Sequence, residues 1–168
     1  MNKILSAGLV AAAIATAGSV NAATTTTTFQ VTATVATNCL VSATALAFGT
    51  YTQGAGNVNQ SSTVNVNCSL GTGFNVGLNA GATPAATVTT RKMLNGANQL
   101  AYTLFSDTGR TVNWGNTVGT DTQARTGAGF GPANVVALTV YGQVPDNTAN
   151  QGVPAGAYTD TVTVTVTF

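Results

Sequence analysis

The chain has very little charge. Charged residues make up 5% of it, with five Lys and Arg against four Asp, no Glu and no His, where about 25% is usual. Lacking His and Glu, and with its four acids scattered at Asp107, Asp121, Asp146 and Asp160, the sequence offers no general base, metal set or nucleophile constellation. An enzyme is not expected, and neither is a cofactor. Four basic residues beyond Lys3 (Arg91, Lys92, Arg110 and Arg125) balance the four acids, so a basic surface for nucleic acid is excluded. A surface of Thr, Asn, Gln, Ser and Gly also gives up the charge repulsion that keeps proteins apart. That suits a protein that associates.

Long apolar runs are scarce as well. The one candidate, "ILSAGLVAAAIATAG", follows Lys3 and precedes the small residues "VNA". This is the pattern of an export signal over residues 1–22, cleaved after Ala22. No other stretch approaches the ~20 apolar residues of a membrane span, so the mature chain is not expected to insert in a membrane. The brevity and Ala-richness of the signal point to a bacterial periplasm. Cysteine is limited to Cys39 and Cys68. In an oxidising compartment one such pair is expected to be a disulfide, worth about 3.5 kcal/mol on a chain-entropy estimate.

Helical periodicity is absent from the mature chain. Alternating segments recur between Gly, Asn and Pro clusters, which predicts an all-β sandwich or barrel. "TTTTTFQVTATV" (24–35) places Phe29, Val31, Ala33 and Val35 on one face. Later strands are predicted at 39–49, 62–70, 74–79, 99–106, 134–144 and 158–168, with short extras near "RKML" and "TVNW". The last carries Val162, Val164, Val166 and Phe168 on one face and Thr on the other. An immunoglobulin-like sandwich needs seven strands, and about six lie after residue 38. Ala36, Thr37 and Asn38 leave little for a tight hairpin between the opening strand and the next. The sandwich therefore reads as one strand short, with its final strand ending flush at Phe168.

The glycine-rich "GAGFGP" (127–132) lacks the Lys-Ser/Thr pair of a phosphate loop and is read as a turn. Trp114 is read as packing, Asp107 with Arg110 as a turn, and Asp160 as a hydrogen-bond partner of neighbouring hydroxyls or amides. Tyr158 fits a corner tyrosine that bonds back to the backbone or a plain packing residue.

"LAFGTY" (46–51), "STVNVNCS" around Cys68, "FNVGLNAG", "RKM" (91–93), "LAYTLFSD", "VYGQVP" and the closing "GAYTDTVTVTVTF" stand in one order along the chain. In that order the chain resembles the subunits of archaic (Csu-type) chaperone–usher pili, which carry the spore coat protein U domain. The resemblance implies donor-strand complementation. In such subunits an incomplete immunoglobulin-like sandwich, here 39–168, exposes a groove. A periplasmic chaperone fills it first, and at the outer-membrane usher the leading strand of the next identical subunit replaces the chaperone. Residues 23–35 would be that donor strand, spanning about 43 Å if extended. Residues Ala36, Thr37 and Asn38 would be the linker between subunits. Val162, Val164, Val166 and Phe168 would form one wall of the acceptor groove and the strand after Cys39 the other. The implied product is a head-to-tail filament at the cell surface, built from this chain as shaft subunit and serving attachment and biofilm formation. The rival expectations are a monomeric secreted module, adhesive or sugar-binding through aromatics such as Trp114 or Tyr51, and a coat protein that assembles without an usher.

Overall fold

The computed structural model describes residues 21–168, and all of the expected export signal except Asn21 and Ala22 lies outside them. Contacts divide the chain after Thr34. In the leading unit, the described residues carry no strand and are exposed, Phe29 at 85% and Val31 at 80%.

The second unit, Val35–Phe168, is a sandwich of antiparallel strands. Its strands are β1 (Cys39–Ala43), β2 (Val58–Cys68), β3 (Gly73–Leu78), β4 (Lys92–Asn95), β5 (Asn98–Ala101), β6 (Thr103–Phe105), β7 (Gln123–Thr126), β8 (Val136–Val144) and β9 (Val164–Thr167). One sheet has the order β1-β2-β8-β6, the other β7-β3-β9, and β4-β5 is a separate hairpin. β1 and β9 are therefore both edge strands, each paired on one side only. Period-two alternation sets which side chains meet. Val64, Val66 and Cys68 of β2, Leu138 and Val140 of β8, and Phe74, Val76 and Leu78 of β3 are buried between the sheets.

Several predicted strands are shorter than their alternation. The stretch 39–49 is a ladder only to Ala43, although Thr44 N–H still donates to Thr63 O at 3.0 Å. The stretch 99–106 breaks at Tyr102, because β5 pairs with β4 whereas β6 pairs with β8. The stretch 158–168 is ladder only over Val164–Thr167. Upstream, Thr159 exchanges backbone bonds with Leu94 and Asn79 N–H donates to Thr163 O at 3.1 Å, while Asp160 accepts from the amides of Ala82 (2.7 Å) and Thr161 (2.8 Å) and Asn79 Oδ1 from the Thr163 amide (2.9 Å), so the ladder is interrupted and partly taken over by side chains there. β2 conversely begins at Val58, four residues before the expected strand at 62–70. "QART" forms β7, whose residues are half-buried or exposed and so lack an apolar alternation to reveal it.

Two short helical turns also depart from the expectation of strands and loops alone. Pro132–Asn134 is a single 3-10 turn after the glycine-rich loop. Thr148–Gln151 is one α-turn, α1, capped by the Asn147 side chain accepting from Asn150 N–H.

The disulfide joins Cys39 at the start of β1 to Cys68 at the end of β2, which are register partners. Trp114 is 1% exposed and its Nε1–H donates to Val76 O at 2.8 Å, as packing requires. Tyr158 bonds back to Pro154 O at 2.8 Å, four residues upstream, in the manner of a corner tyrosine. Asp107 and Arg110 close a turn, with Arg110 N–H on Asp107 O at 3.1 Å.

Candidate acceptor groove

Inward-facing residues are not equally covered. Those of the central strands are buried, but those of the two edges are not. Val41 shares a face with Cys39 and Ala43 and pairs with fully buried Val66, yet it is 45% exposed. On the other edge Val162, Val164 and Val166 are only half-buried, and Phe168 is 57% exposed.

Between these edges runs a groove of about 410 Å³. One wall is Ala43 to Leu46, continuing β1, and the other is Tyr158 to Val164, leading into β9. The floor is the core itself, with Val64 and Val140 from one sheet, Leu78 from the other, and Leu104 and Tyr102. These floor side chains are core residues, each 2% to 5% exposed. Ala43, the last residue of β1, and Val164, the first of β9, line this gap, and each of these strands is paired on one side only among the described residues. Unpaired strand edges of this kind are templates for another strand.

Of the four expected wall residues, Val162 and Val164 line the groove, Val166 packs against the core cluster, and Phe168 lies exposed beyond it. The expected other wall, the strand 39–49, contains Leu46 and Phe48, which the sequence reading did not single out. They follow the end of the ladder but still point apolar side chains at the groove, and Phe48 meets Tyr102 edge-to-face at 6.0 Å. Their signal is the two-residue spacing of Leu46 and Phe48 in "ATALAF" (43–48), beyond the last ladder residue.

Polar residues set the walls. Tyr102 Oη donates to Asp160 Oδ2 at 2.6 Å, and burial, reinforced by this bond, pushes the Tyr102 hydroxyl pKa well up. It stays a donor throughout the ordinary pH range. Beneath lies Arg91, fully buried, whose guanidinium donates to four carbonyls: Asn79 (2.8 Å), Val88 (2.7 Å), Leu78 (2.8 Å) and Trp114 (2.7 Å). Burial lowers its pKa, opposed by Tyr102, Asp121 and Asp160. Arg91 is a structural clamp that fixes the end of β3 against the Trp114 segment. No group of three or more metal-ligating side chains occurs among the described residues.

The groove is thus apolar, elongated, and bounded by two free strand edges. Its chemistry suits an extended peptide with alternating apolar side chains, held by main-chain bonds and pockets.

The model for the Spore Coat Protein U domain matches residues 25–165. Protein U of Myxococcus xanthus is 39% identical over 112 residues, covering 62% of this chain and 58% of that protein. Among solved structures, the complex of the CsuC chaperone with the CsuE tip adhesion subunit, from archaic chaperone–usher Csu pili of Acinetobacter baumannii, aligns with a TM-score of 0.55. The identity is 28%, over 80% of this chain and 40% of the matched one. The chain therefore spans less than two thirds of the length of either relative. With its family model matched across nearly the whole sandwich and the segment before it, the chain belongs to the Spore Coat Protein U domain family.

Proposed function

We propose that this chain is a structural, non-catalytic shaft subunit of an archaic chaperone–usher pilus, polymerising by donor-strand exchange. The observation that carries the reading is the apolar groove between the segment that continues β1 and the segment that leads into β9, two edge strands, floored by core side chains. Residues 23–35 are the matching ligand. Phe29, Val31 and Val35 are exposed at 85%, 80% and 92%, and Ala33 is exposed between them. Burying the three large side chains in a neighbour's groove stabilises the joint by about 5 to 8 kcal/mol. Main-chain bonds to both edges satisfy groups that the insertion would otherwise bury unpaired.

A head-to-tail joint of this kind does not close on itself, so it propagates into a filament. Until the neighbour arrives the groove is an aggregation hazard, and shielding it is the work of a periplasmic chaperone. The likeness to a subunit solved with its chaperone supports that partner. The disulfide supports an oxidising route through the periplasm to the cell surface. Attachment and biofilm formation are the roles such a filament serves.

The test is expression in a bacterial periplasm of the full chain and of a chain lacking residues 23–35, run unboiled in detergent. The full chain is expected to give a ladder of heat-labile polymers and the truncation none. Monomers from both would overturn the reading in favour of a self-contained module.

A further inference from the structure

Side chains that a two-electron oxidant attacks are scarce in this chain. It has no His, one Trp, two Cys and two Met, of which Met1 heads the expected export signal. Both cysteines are joined in the disulfide, and Trp114 is 1% exposed. Among the described residues this leaves the thioether of Met93, which is half-buried.

Its place in the fold is specific. Met93 stands in β4 opposite Leu100 of β5. Next to it, Leu94 N–H donates to Thr159 O at 2.8 Å and Thr159 N–H to Leu94 O at 3.0 Å, which ties the hairpin to the groove wall. Met93 lines the groove, and it also lines a second cavity, of about 670 Å³, that adjoins the groove beside the 153–158 loop. Four residues belong to both linings: Leu46 and Phe48 from one wall, Tyr158 from the other, and Met93 from the hairpin. Of the four, Met93 alone carries an atom that mild oxidation turns from apolar to strongly polar.

We propose that Met93 is an oxidation site, converted by a peroxide to the sulfoxide while the groove is empty, and that the sulfoxide hinders entry of a strand until it is reduced. With hydrogen peroxide, the sulfur lone pair attacks one peroxide oxygen. An S–O bond forms and the O–O bond breaks. The departing hydroxide takes the proton of the transferred hydroxyl and leaves as water. Sulfur gives up two electrons and the peroxide takes them.

The S=O group accepts hydrogen bonds and donates none. At an empty groove, water satisfies it. Under an inserted strand it is cut off from water, and burying it without a donor is costly. The tyrosine hydroxyls of the two linings are already engaged: Tyr102 donates to Asp160, Tyr158 to Pro154 O and Tyr51 to Asp146. The effect on strand entry rests on the donor-strand reading, whereas the oxidation itself does not. The cover also works in reverse. A strand in the groove shields the thioether, so assembled subunits resist the oxidant that free ones do not.

The experiment uses the full-length chain carrying Val31→Asp, which keeps its groove but gives no strand, and a synthetic peptide of residues 23–35 as the strand. Hydrogen peroxide is expected to add one oxygen atom, placed at Met93 by peptide mass mapping, and prebound peptide to slow that addition severalfold. The oxidised chain is expected to bind the peptide roughly tenfold more weakly. Methionine sulfoxide reductases should restore the affinity. Met93→Leu, a swap of similar volume, should bind the peptide and be indifferent to peroxide. A Met93 that resists peroxide, a sulfoxide chain that binds as tightly as the untreated one, or a peroxide effect that Met93→Leu shares overturns the proposal and leaves the strand joint standing. An untreated chain that does not bind the peptide overturns the strand reading and the proposed hindrance with it, while the mass map still decides the oxidation.

Discussion

Asp146 gathers donors from two distant parts of the chain. Oδ1 accepts from Tyr51 Oη (2.6 Å), Gly54 N–H (3.1 Å) and Gln151 Nε2 (3.1 Å), and Oδ2 from Gly56 N–H (2.8 Å). The Tyr51 bond foremost, then the two amides, hold the Asp146 carboxyl down to about 2. Burial, then the bond to Asp146 and its charge, push the Tyr51 hydroxyl up to about 12. The two shifts bracket a pH window. A depressed carboxylate stabilises the fold above its ordinary value of 3.8, and that stability is lost as pH falls toward 2. A raised hydroxyl stabilises it below 10.0, and that is lost as pH rises through about 12. Replacing Tyr51→Phe is expected to lower the urea midpoint by a constant amount between about pH 4 and 10. The gap to the unaltered chain should narrow on both flanks, and a gap that ignores pH would contradict the assignment. Some residue roles are legible in the sequence: the Asp107 turn and the amide-binding Asp160 follow from short polar side chains among turn residues. The Asp146 cluster is not, because Tyr51, Gly54 and Gly56 lie 90 to 95 positions away from it.

Elements read best where both neighbours exist. β2, β3 and β8 alternate cleanly because each packs between sheets, and their buried residues stand where the alternation puts them. Edges read worst. The alternation of 158–168 extends well beyond the ladder of β9, because the pattern records where side chains point, whereas a ladder needs a partner strand. Leu46 and Phe48 show the same excess on the opposite edge. Arg91 leaves no pattern at all. Its meaning comes from four carbonyls, of Leu78, Asn79, Val88 and Trp114, that the fold brings together. Truncation by Arg91→Ala leaves those carbonyls buried and opens a cavity, so a loss of roughly 3 to 5 kcal/mol is expected. Arg91→Lys, which cannot fork to four acceptors, should recover only part of it. Chemical denaturation of a truncated chain lacking residues 23–35 measures this without interference from polymerisation. An Arg91→Lys chain as stable as the parent would show that charge alone suffices.

At the scale of the whole molecule, the proposed assembly assigns the giving strand and the receiving groove to separate parts, which can be disabled separately. Val31 is 80% exposed, so Val31→Asp leaves the sandwich intact but places a charge where the strand must enter an apolar groove. Val164 is half-buried and lines that groove, so Val164→Lys spoils the receiving face while its long stem reaches solvent. Each altered chain is expected to remain monomeric alone: the first accepts a strand but gives none, and the second gives one but cannot accept. Mixed in equal amounts, they have a single productive joint, the strand of the Val164→Lys chain in the groove of the Val31→Asp chain. The product should be a heat-labile dimer that grows no further. Unboiled gels and light scattering distinguish the outcomes. Longer ladders from the mixture would mean that association does not depend on these two faces, and persistent monomers would mean that the strand and groove do not recognise each other.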